Sequence, residues 1–229
     1  MNNAIVKSFC SALTVLSCST MSIAGGIGLG STRVIFPTNS AQMPLLISNS
    51  STDDHYLINS WIEDQNEKKS NDLLVTPPIY VSKPKTDNAL KIVKIKENFP
   101  LDRETLYYVN IKSVPSANKE MLESTNVLQL AVLSRIKLFV RPEGLKPIEN
   151  FEKYIQLKKI NNQYFISNPT PFYLNLVMVK INGKDLNPGL TIKPLSDYQL
   201  DSKNISTVSF KMINDYGGLS ETINLKNNF

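Results

Sequence analysis

The chain has 229 residues, of which 41% are hydrophobic and 20% are charged, with a formal net charge of +5 at pH 7. This length is enough for one large domain or two ordinary domains. The mild positive charge comes without a dense cluster of Lys and Arg, which argues against nucleic acid as a partner.

Residues 1–24 have the pattern of a secretory signal peptide. Lys7 supplies a positive charge, an apolar stretch runs from Ala12 to Ile23, and Ser22–Ala24 is a small-residue cleavage site. The stretch is too short and too mixed for a transmembrane helix. Cleavage removes both cysteines of the chain, so we expect a mature protein, residues 25–229, that enters an oxidising compartment without a disulfide.

Short β-type segments separated by turn residues fill the first half of the mature chain, and none shows a sustained helical period. Gly25–Gly30 precedes them and is expected to be a flexible terminus rather than a phosphate loop, because no strand precedes it. The pattern predicts an antiparallel β-sandwich, and it disfavours a parallel α/β fold because crossover helices are missing. The segments are Ser31–Pro37, Met43–Ser48, His55–Glu63, Leu73–Val75, Ile79–Val81, Ala89–Lys96 and Leu106–Val114.

The segment Asn126–Pro142 is far longer than a typical strand of about 5–6 residues. It alternates strictly, and only Ser134 interrupts the apolar residues of one face. A strand of this length is expected to outrun its partners and to leave an apolar row exposed, so either another element covers the edge or the edge is the working surface. The apolar row consists of Leu128, Leu130, Val132, Ile136, Leu138 and Val140.

A linker is predicted at Arg141–Pro147, which contains two prolines and one glycine. We place the domain boundary after Pro142, giving domains at residues 25–142 and 143–229. The second set of β-type segments predicts a smaller sandwich, in which Asn182–Gly183 is a hairpin turn. These segments are Ile155–Ile160, Tyr164–Ser167, Tyr173–Ile181, Leu190–Ile192, Ser206–Ile213 and Thr222–Leu225.

The residues give no sign of an enzyme active site. His55 is the single histidine and lies where a turn meets a strand, a usual place for a surface histidine, so a hydrolase built on it is nearly excluded. Asp53 and Asp54 lie in a turn, where Asp commonly bonds the local backbone, and the spacing of a calcium loop is missing. We expect no catalytic residue, no metal and no cofactor.

Eight motifs stand in order along the mature chain, and together they are specific. They are TRVIFP from Thr32, SWIED from Ser60, TPP from Thr76, FPLDRETLYYVNIKSVP from Phe99, NVLQLAVLSRIKLFVRP from Asn126, NPTPFY from Asn168, KPLSDYQL from Lys193 and INDYGG from Ile213. The chain resembles the periplasmic chaperones of chaperone–usher pili over nearly all of its mature length. The resemblance implies an all-β protein with two immunoglobulin-like β-sandwich domains in an L-shaped arrangement around a cleft.

The resemblance also implies a mechanism. Members of this family lend their long strand to a pilus subunit that lacks its own last strand, a form of β-strand addition. By position, Leu128, Leu130 and Val132 are the residues that would fill the groove of the subunit. Arg33 and Lys137 match the two cations that anchor the carboxylate at the subunit's C-terminus, although either cation alone would be read as a solvated surface charge.

Further expectations follow from the same resemblance. Glu104, Arg141 and Asp215 match a buried ionic network between the domains of family members. The loop from Ser116 to Thr125 is short and the mature chain has no cysteine, which places the protein in the short-loop class. The implied partners are pilus subunits and an outer-membrane usher in the periplasm, and the apolar row predicts self-association of the free protein.

A second hypothesis comes from another class of protein. Two immunoglobulin-like domains behind a signal peptide also suit a secreted adhesion or carbohydrate-binding protein. Arg33 and Lys137 discriminate between the two hypotheses, because an adhesin has no need of two cations that converge beside a long exposed strand.

Overall fold

The computed structural model describes residues 25–116, 130–146, 148, 150–186 and 188–227. The predicted signal peptide, Leu128 and all but the first residue of the loop before the long strand lie outside these residues. The described chain forms strands and one short 3-10 helix, Phe151–Lys153, and contains no α-helix. None of its helical segments is long and apolar enough to cross a bilayer.

Two sheets face each other in the first half of the chain. One sheet has the order β1-β3-β7-β5 and the other has the order β2-β9-β8-β4-β6. Alternate residues of both sheets point inward and form one hydrophobic core, in which Phe36, Ile47, Ile58 and Ile92 are completely buried. The strands are β1 Ile27–Leu29, β2 Arg33–Pro37, β3 Gln42–Asn49, β4 Tyr56–Asp64, β5 Leu73–Thr76, β6 Ile79–Ser82, β7 Thr86–Lys94, β8 Thr105–Pro115 and β9 Val132–Arg141.

The second half forms another sandwich with its own core around Ile166, Leu174 and Phe210. One sheet has the order β10-β11-β15, and the other has the order β13-β12-β16-β17 with β14 also paired to β12. The predicted turn at Asn182–Gly183 is confirmed: it joins β12 to β13, and both of its residues have positive φ. The strands are β10 Gln156–Ile160, β11 Gln163–Asn168, β12 Leu174–Ile181, β13 Lys184–Asp185, β14 Leu190–Ile192, β15 Ser196–Leu200, β16 Thr207–Met212 and β17 Ile223–Lys226.

The expectation of a flexible terminus at Gly25–Gly30 is wrong for its central residues. Ile27–Leu29 is strand β1, which pairs with the edge of β3 through registers such as Gly28 with Ser48. An unpaired edge of β3 offers a row of hydrogen-bonding groups, and this short segment satisfies them despite its glycines. Strand β15 was also not predicted, because Leu200 is its only buried residue.

Strand β9 is shorter than the segment Asn126–Pro142 predicted, since Leu130 and Ala131 are not in the strand. It pairs with β8 in antiparallel fashion from Val132 to Val140. On its other side β9 pairs with β2 only from Lys137 to Arg141, and this pairing is parallel rather than the antiparallel pairing predicted. No strand of the described residues covers this side of Val132–Ile136.

The apolar row of β9 therefore has two parts. Leu138 and Val140 are completely buried, and Ile136 packs against the same core. Leu130 and Val132 belong to the same row but are 66% and 59% exposed. The apolar row thus contributes to the core at one end of the segment and is exposed to solvent at the other end.

Alanine substitutions test this division of the row. Leu138→Ala is expected to lower the free energy of unfolding by about 2–5 kcal/mol, because it leaves a cavity in the first core. Leu130→Ala is the matched control and is expected to change it by less than about 0.5 kcal/mol. Urea unfolding followed by tryptophan fluorescence measures both values, and equal losses would contradict the division.

Candidate functional site

Two cations meet where the open part of β9 ends. The parallel register of β2 and β9 pairs Arg33 with Lys137, so both side chains point to the same face of the sheet. That face meets the second sandwich: Lys137 Nζ donates to Asn175 Oδ1 at 2.6 Å and to Thr191 Oγ1 at 2.5 Å. Arg33 Nη1 donates to the carbonyl of Ile213 at 3.3 Å. The two cations therefore lie between the sandwiches.

The electrostatics of this pair suit an anion. Burial, with a smaller contribution from the charge of Arg33, lowers the pKa of Lys137 to about 8. Burial also lowers the pKa of Arg33, which is 9% exposed and whose Nε makes no hydrogen bond in the described structure. The ion pairs of this region belong to Arg135 and Arg141 instead. A planar fork beside a compact ammonium is a good geometry for one carboxylate.

The open edge of β9 leads directly to these two cations. A strand that pairs with Val132–Ile136 occupies the position that β2 occupies beside the rest of β9. If the added strand also runs parallel to β9, its carboxyl end points at the first residue of β2, Arg33. The open edge and the two cations therefore lie end to end along β9, which is the geometry that addition of a C-terminal strand requires.

The apolar residues predicted to bind the partner lie beside this edge. Leu130 and Val132 are exposed, and Val132 lies on the same face of β9 as the buried residues Leu138 and Val140. Leu128 lies outside the described residues. Within β9, Val132 and Lys137 therefore point to opposite faces, since alternate side chains point in opposite directions.

The far end of β9 is tied to the second sandwich by an ionic network. Arg141 Nε donates to Glu104 Oε1 at 2.7 Å, and its terminal nitrogens donate to both oxygens of Asp215 at 2.7 and 2.9 Å. The other oxygen of Glu104 accepts from the backbone N–H of Tyr173 at 2.8 Å. The Arg141 guanidinium also lies 5.0 Å from the centre of the Phe172 ring.

Burial is the largest influence on the ionisation of this network. It raises the pKa of Glu104, whereas Arg141 and the N–H of Tyr173 act in the opposite direction. Burial opposes the charge of Arg141 as well, but the hydrogen bond to Asp215 and the charge of Glu104 outweigh it and raise the pKa of Arg141. Each charge in the network thus depends on the others for its stability.

Close backbone contact adds to the junction of the two sandwiches. Gly217 has a φ of 85°, and a Cβ at this position would lie 2.5 Å from Thr32 Oγ1. Only glycine adopts this backbone conformation without strain and leaves room for the Thr32 side chain. The loop after β16 can therefore approach the start of β2 closely. This contact lies two residues from Asp215 and next to Arg33 in the sequence.

Sequence reasoning missed the groups that hold Lys137. Asn175 is a buried polar residue within the apolar strand β12, and Thr191 lies in β14 beside it in register. A polar residue inside the run Phe172–Met178 was the available signal, but its partner could not be known without the fold. Within the described residues, no cluster of three or more His, Cys, Asp or Glu side chains could hold a metal ion.

Comparison with known proteins identifies the family. Residues 26–146 match the model of the pili and flagellar-assembly chaperone PapD N-terminal domain, and residues 150–224 match that of the pili assembly chaperone PapD C-terminal domain. The chain belongs to the pili assembly chaperone family. This confirms the resemblance inferred from the eight motifs.

Relatives in this family resemble the chain over most of its length. The probable fimbrial chaperone SfmC of Escherichia coli K12 is 37% identical over 86% of both chains. The crystal structure of the periplasmic chaperone SfaE has a TM-score of 0.75 and 32% identity, covering 88% of this chain and 100% of SfaE. A chain from the Salmonella enterica complex of SafA pilin with the SafB chaperone has a TM-score of 0.77 and 28% identity, covering 89% and 97%. The prediction of two immunoglobulin-like β-sandwich domains is confirmed.

Replacement of Arg141 tests how much the ionic network contributes to the stability of this pili assembly chaperone. Arg141→Ala is expected to lower the free energy of unfolding by about 3–5 kcal/mol, because it leaves the buried Glu104 carboxylate without its cationic partner and with only the N–H of Tyr173. Arg103→Ala is a control that removes an exposed ion pair with Asp102 and is expected to have no measurable effect. Thermal and urea unfolding check both variants, and a similar loss in each would contradict the argument.

Proposed function

We propose that this protein is a periplasmic chaperone that binds and folds pilus subunits by donor-strand complementation and delivers them to an outer-membrane usher. One observation carries the proposal: the open edge of β9 ends at Arg33 and Lys137, where β2 begins. This site accepts a strand that runs parallel to β9 and ends in a carboxylate. The family of the chain and a relative in complex with a pilin support the same conclusion.

In the proposed complex, the subunit receives a strand that its own sequence lacks. Backbone groups of Val132–Ile136 pair with its last strand, and this pairing is independent of the subunit's side chains. Leu128, Leu130 and Val132 fill the groove left by the missing strand. Burying each of these side chains stabilises the complex by about 1.5–3 kcal/mol before entropy losses.

The carboxylate contact sets the register of this pairing. Arg33 and Lys137 are already desolvated in the free protein, so part of the cost of burying the charges has been met before the subunit arrives. A slip by one residue would turn every side chain to the wrong face. Anchoring the terminal carboxylate therefore aligns the apolar residues with the groove.

The remaining expectations are part of this proposal. We propose a signal peptide at residues 1–24, domains at residues 25–142 and 143–229, membership of the short-loop class, self-association of the free protein, and no enzymatic activity or cofactor. The adhesin hypothesis is disfavoured because it leaves the paired cations beside the open edge without a role. The network of Glu104, Arg141 and Asp215 has a structural role, which is to hold the two domains around the site.

Removal of either cation tests the proposed anchor. Arg33→Ala and Lys137→Ala are each expected to abolish co-purification of a co-expressed pilus subunit, while circular dichroism shows that the chaperone remains folded. Lys112→Ala is the matched control, because Lys112 is an exposed cation on the same face of the sheet and is not part of the site. Unchanged subunit yield with both anchor variants would refute the anchoring role.

The pKa of Lys137 predicts how binding responds to pH. The free protein loses the Lys137 charge as the pH rises through about 8, so the affinity for a carboxylate should fall above that pH, by up to about tenfold per pH unit. Fluorescence anisotropy with a labelled peptide of alternating apolar residues and a free C-terminus measures this fall. Lys137→Arg should remove the dependence, since Arg stays charged. An equal fall with a C-terminally amidated peptide would contradict the prediction.

A further inference from the structure

Arg135 is a third cation on the same face of β9, two residues before Lys137. Its Nη1 lies 2.8 Å from Glu67 Oε1, and its Nη2 lies 3.3 Å from Glu63 Oε2. The centre of its guanidinium lies 4.0 Å from the centre of the Tyr108 ring, on the neighbouring strand β8. Two carboxylates and one aromatic ring thus hold this cation in place.

A slip by two residues is the register error that the apolar row cannot prevent. Side chains alternate with a period of two, so such a slip leaves every apolar side chain on its correct face. It moves the bound strand by about 6.6 Å along β9. A slip toward Arg141 is blocked by β2, whereas a slip in the other direction brings the terminal carboxylate from Lys137 to Arg135.

The surroundings of the two positions differ in charge. Arg135 is paired with two carboxylates, and Glu63 is itself fixed by a hydrogen bond of 2.8 Å from Trp61 Nε1. Lys137 faces the uncharged oxygens of Asn175 and Thr191. A carboxylate arriving at Arg135 therefore meets a neutralised cation and two like charges, whereas one arriving at Lys137 meets an unneutralised cation.

The backbone at Glu67 supports a specific role for its side chain. Glu67 has a φ of 62°, a conformation in which glycine is unstrained and a longer residue carries a cost. The turn is fixed by Asp64, whose Oδ1 accepts hydrogen bonds from the backbone N–H groups of Asn66 and Lys68. This turn brings a carboxylate to Arg135 across the sheet from a loop after β4.

We propose that Glu63 and Glu67 determine the register of subunit binding by neutralising Arg135, which would otherwise act as a second carboxylate anchor. This inference rests on the proposed function, because it concerns the choice between two registers of the same donated strand. Glu63 and Glu67 need not contact the subunit's apolar residues to have this effect. They act by making the slipped register electrostatically unfavourable.

Disulfide trapping of register tests the proposal. Residues 25–229 contain no cysteine, so Val132→Cys introduces a unique thiol into the mature protein. The probes are two synthetic peptides of alternating apolar residues with a free C-terminal carboxylate. One carries its cysteine opposite residue 132 in the native register, and the other carries it two residues nearer its C-terminus.

The Val132→Cys protein is expected to cross-link only with the native-register peptide. Adding Glu63→Gln and Glu67→Gln should produce cross-linking with the second peptide as well, a shift of two residues. Adding Arg135→Gln to that variant should abolish the second cross-link, which a general loosening of the fold would not do. Circular dichroism confirms folding of each variant.

Other results separate the two proposals. Cross-linking of the double glutamine variant only in the native register overturns the role of Glu63 and Glu67, while leaving the proposed function intact. A second cross-link that persists after Arg135→Gln also overturns it, because the slip then does not depend on that cation. Failure of every variant to cross-link with either peptide overturns the proposed function and this inference together.

Discussion

The parallel pairing of β2 with only one part of β9 is the constraint on which the rest of the structure depends. It covers the buried end of β9 and leaves Val132–Ile136 with an open side. The same register puts Arg33 beside Lys137. The pairing of β2 with β9 thus produces both the open edge and the two cations at its end. A longer β2 would close the edge and separate the cations from any terminus that could reach them.

The second sandwich holds Arg33 and Lys137 through uncharged oxygen atoms. Asn175 and Thr191 hold the Lys137 ammonium without neutralising it, and the carbonyl of Ile213 does the same for Arg33. Arg141 meanwhile satisfies two carboxylates and fixes the end of β9 against this domain. Under the proposed function, Lys137 thus serves binding and Arg141 serves structure, and the difference between them is whether a carboxylate lies beside the cation.

Period-two alternation and turn chemistry are local properties, so the sequence predicts them well. Alternation predicted a strand over Asn126–Pro142, within which β9 is observed at Val132–Arg141, and turn chemistry predicted the turn at Asn182–Gly183. The direction of β2 and the pairing of β1 depend on contacts between distant segments, which alternation does not encode. The cations Arg33 and Lys137 were identified by resemblance to a family, whereas Asn175 and Thr191 become meaningful only when the fold brings them to Lys137.

The position of β2 also has a consequence for when binding can occur. A strand lying on the open edge of β9 runs directly toward Arg33, and the backbone of β2 occupies the path beyond that residue. Under the proposed function, only a chain that ends at this point fits the site, because an internal segment would have to continue through β2. A polypeptide still being synthesised or translocated has no free C-terminus there. On that proposal, the chaperone engages this strand only after its partner's chain is complete.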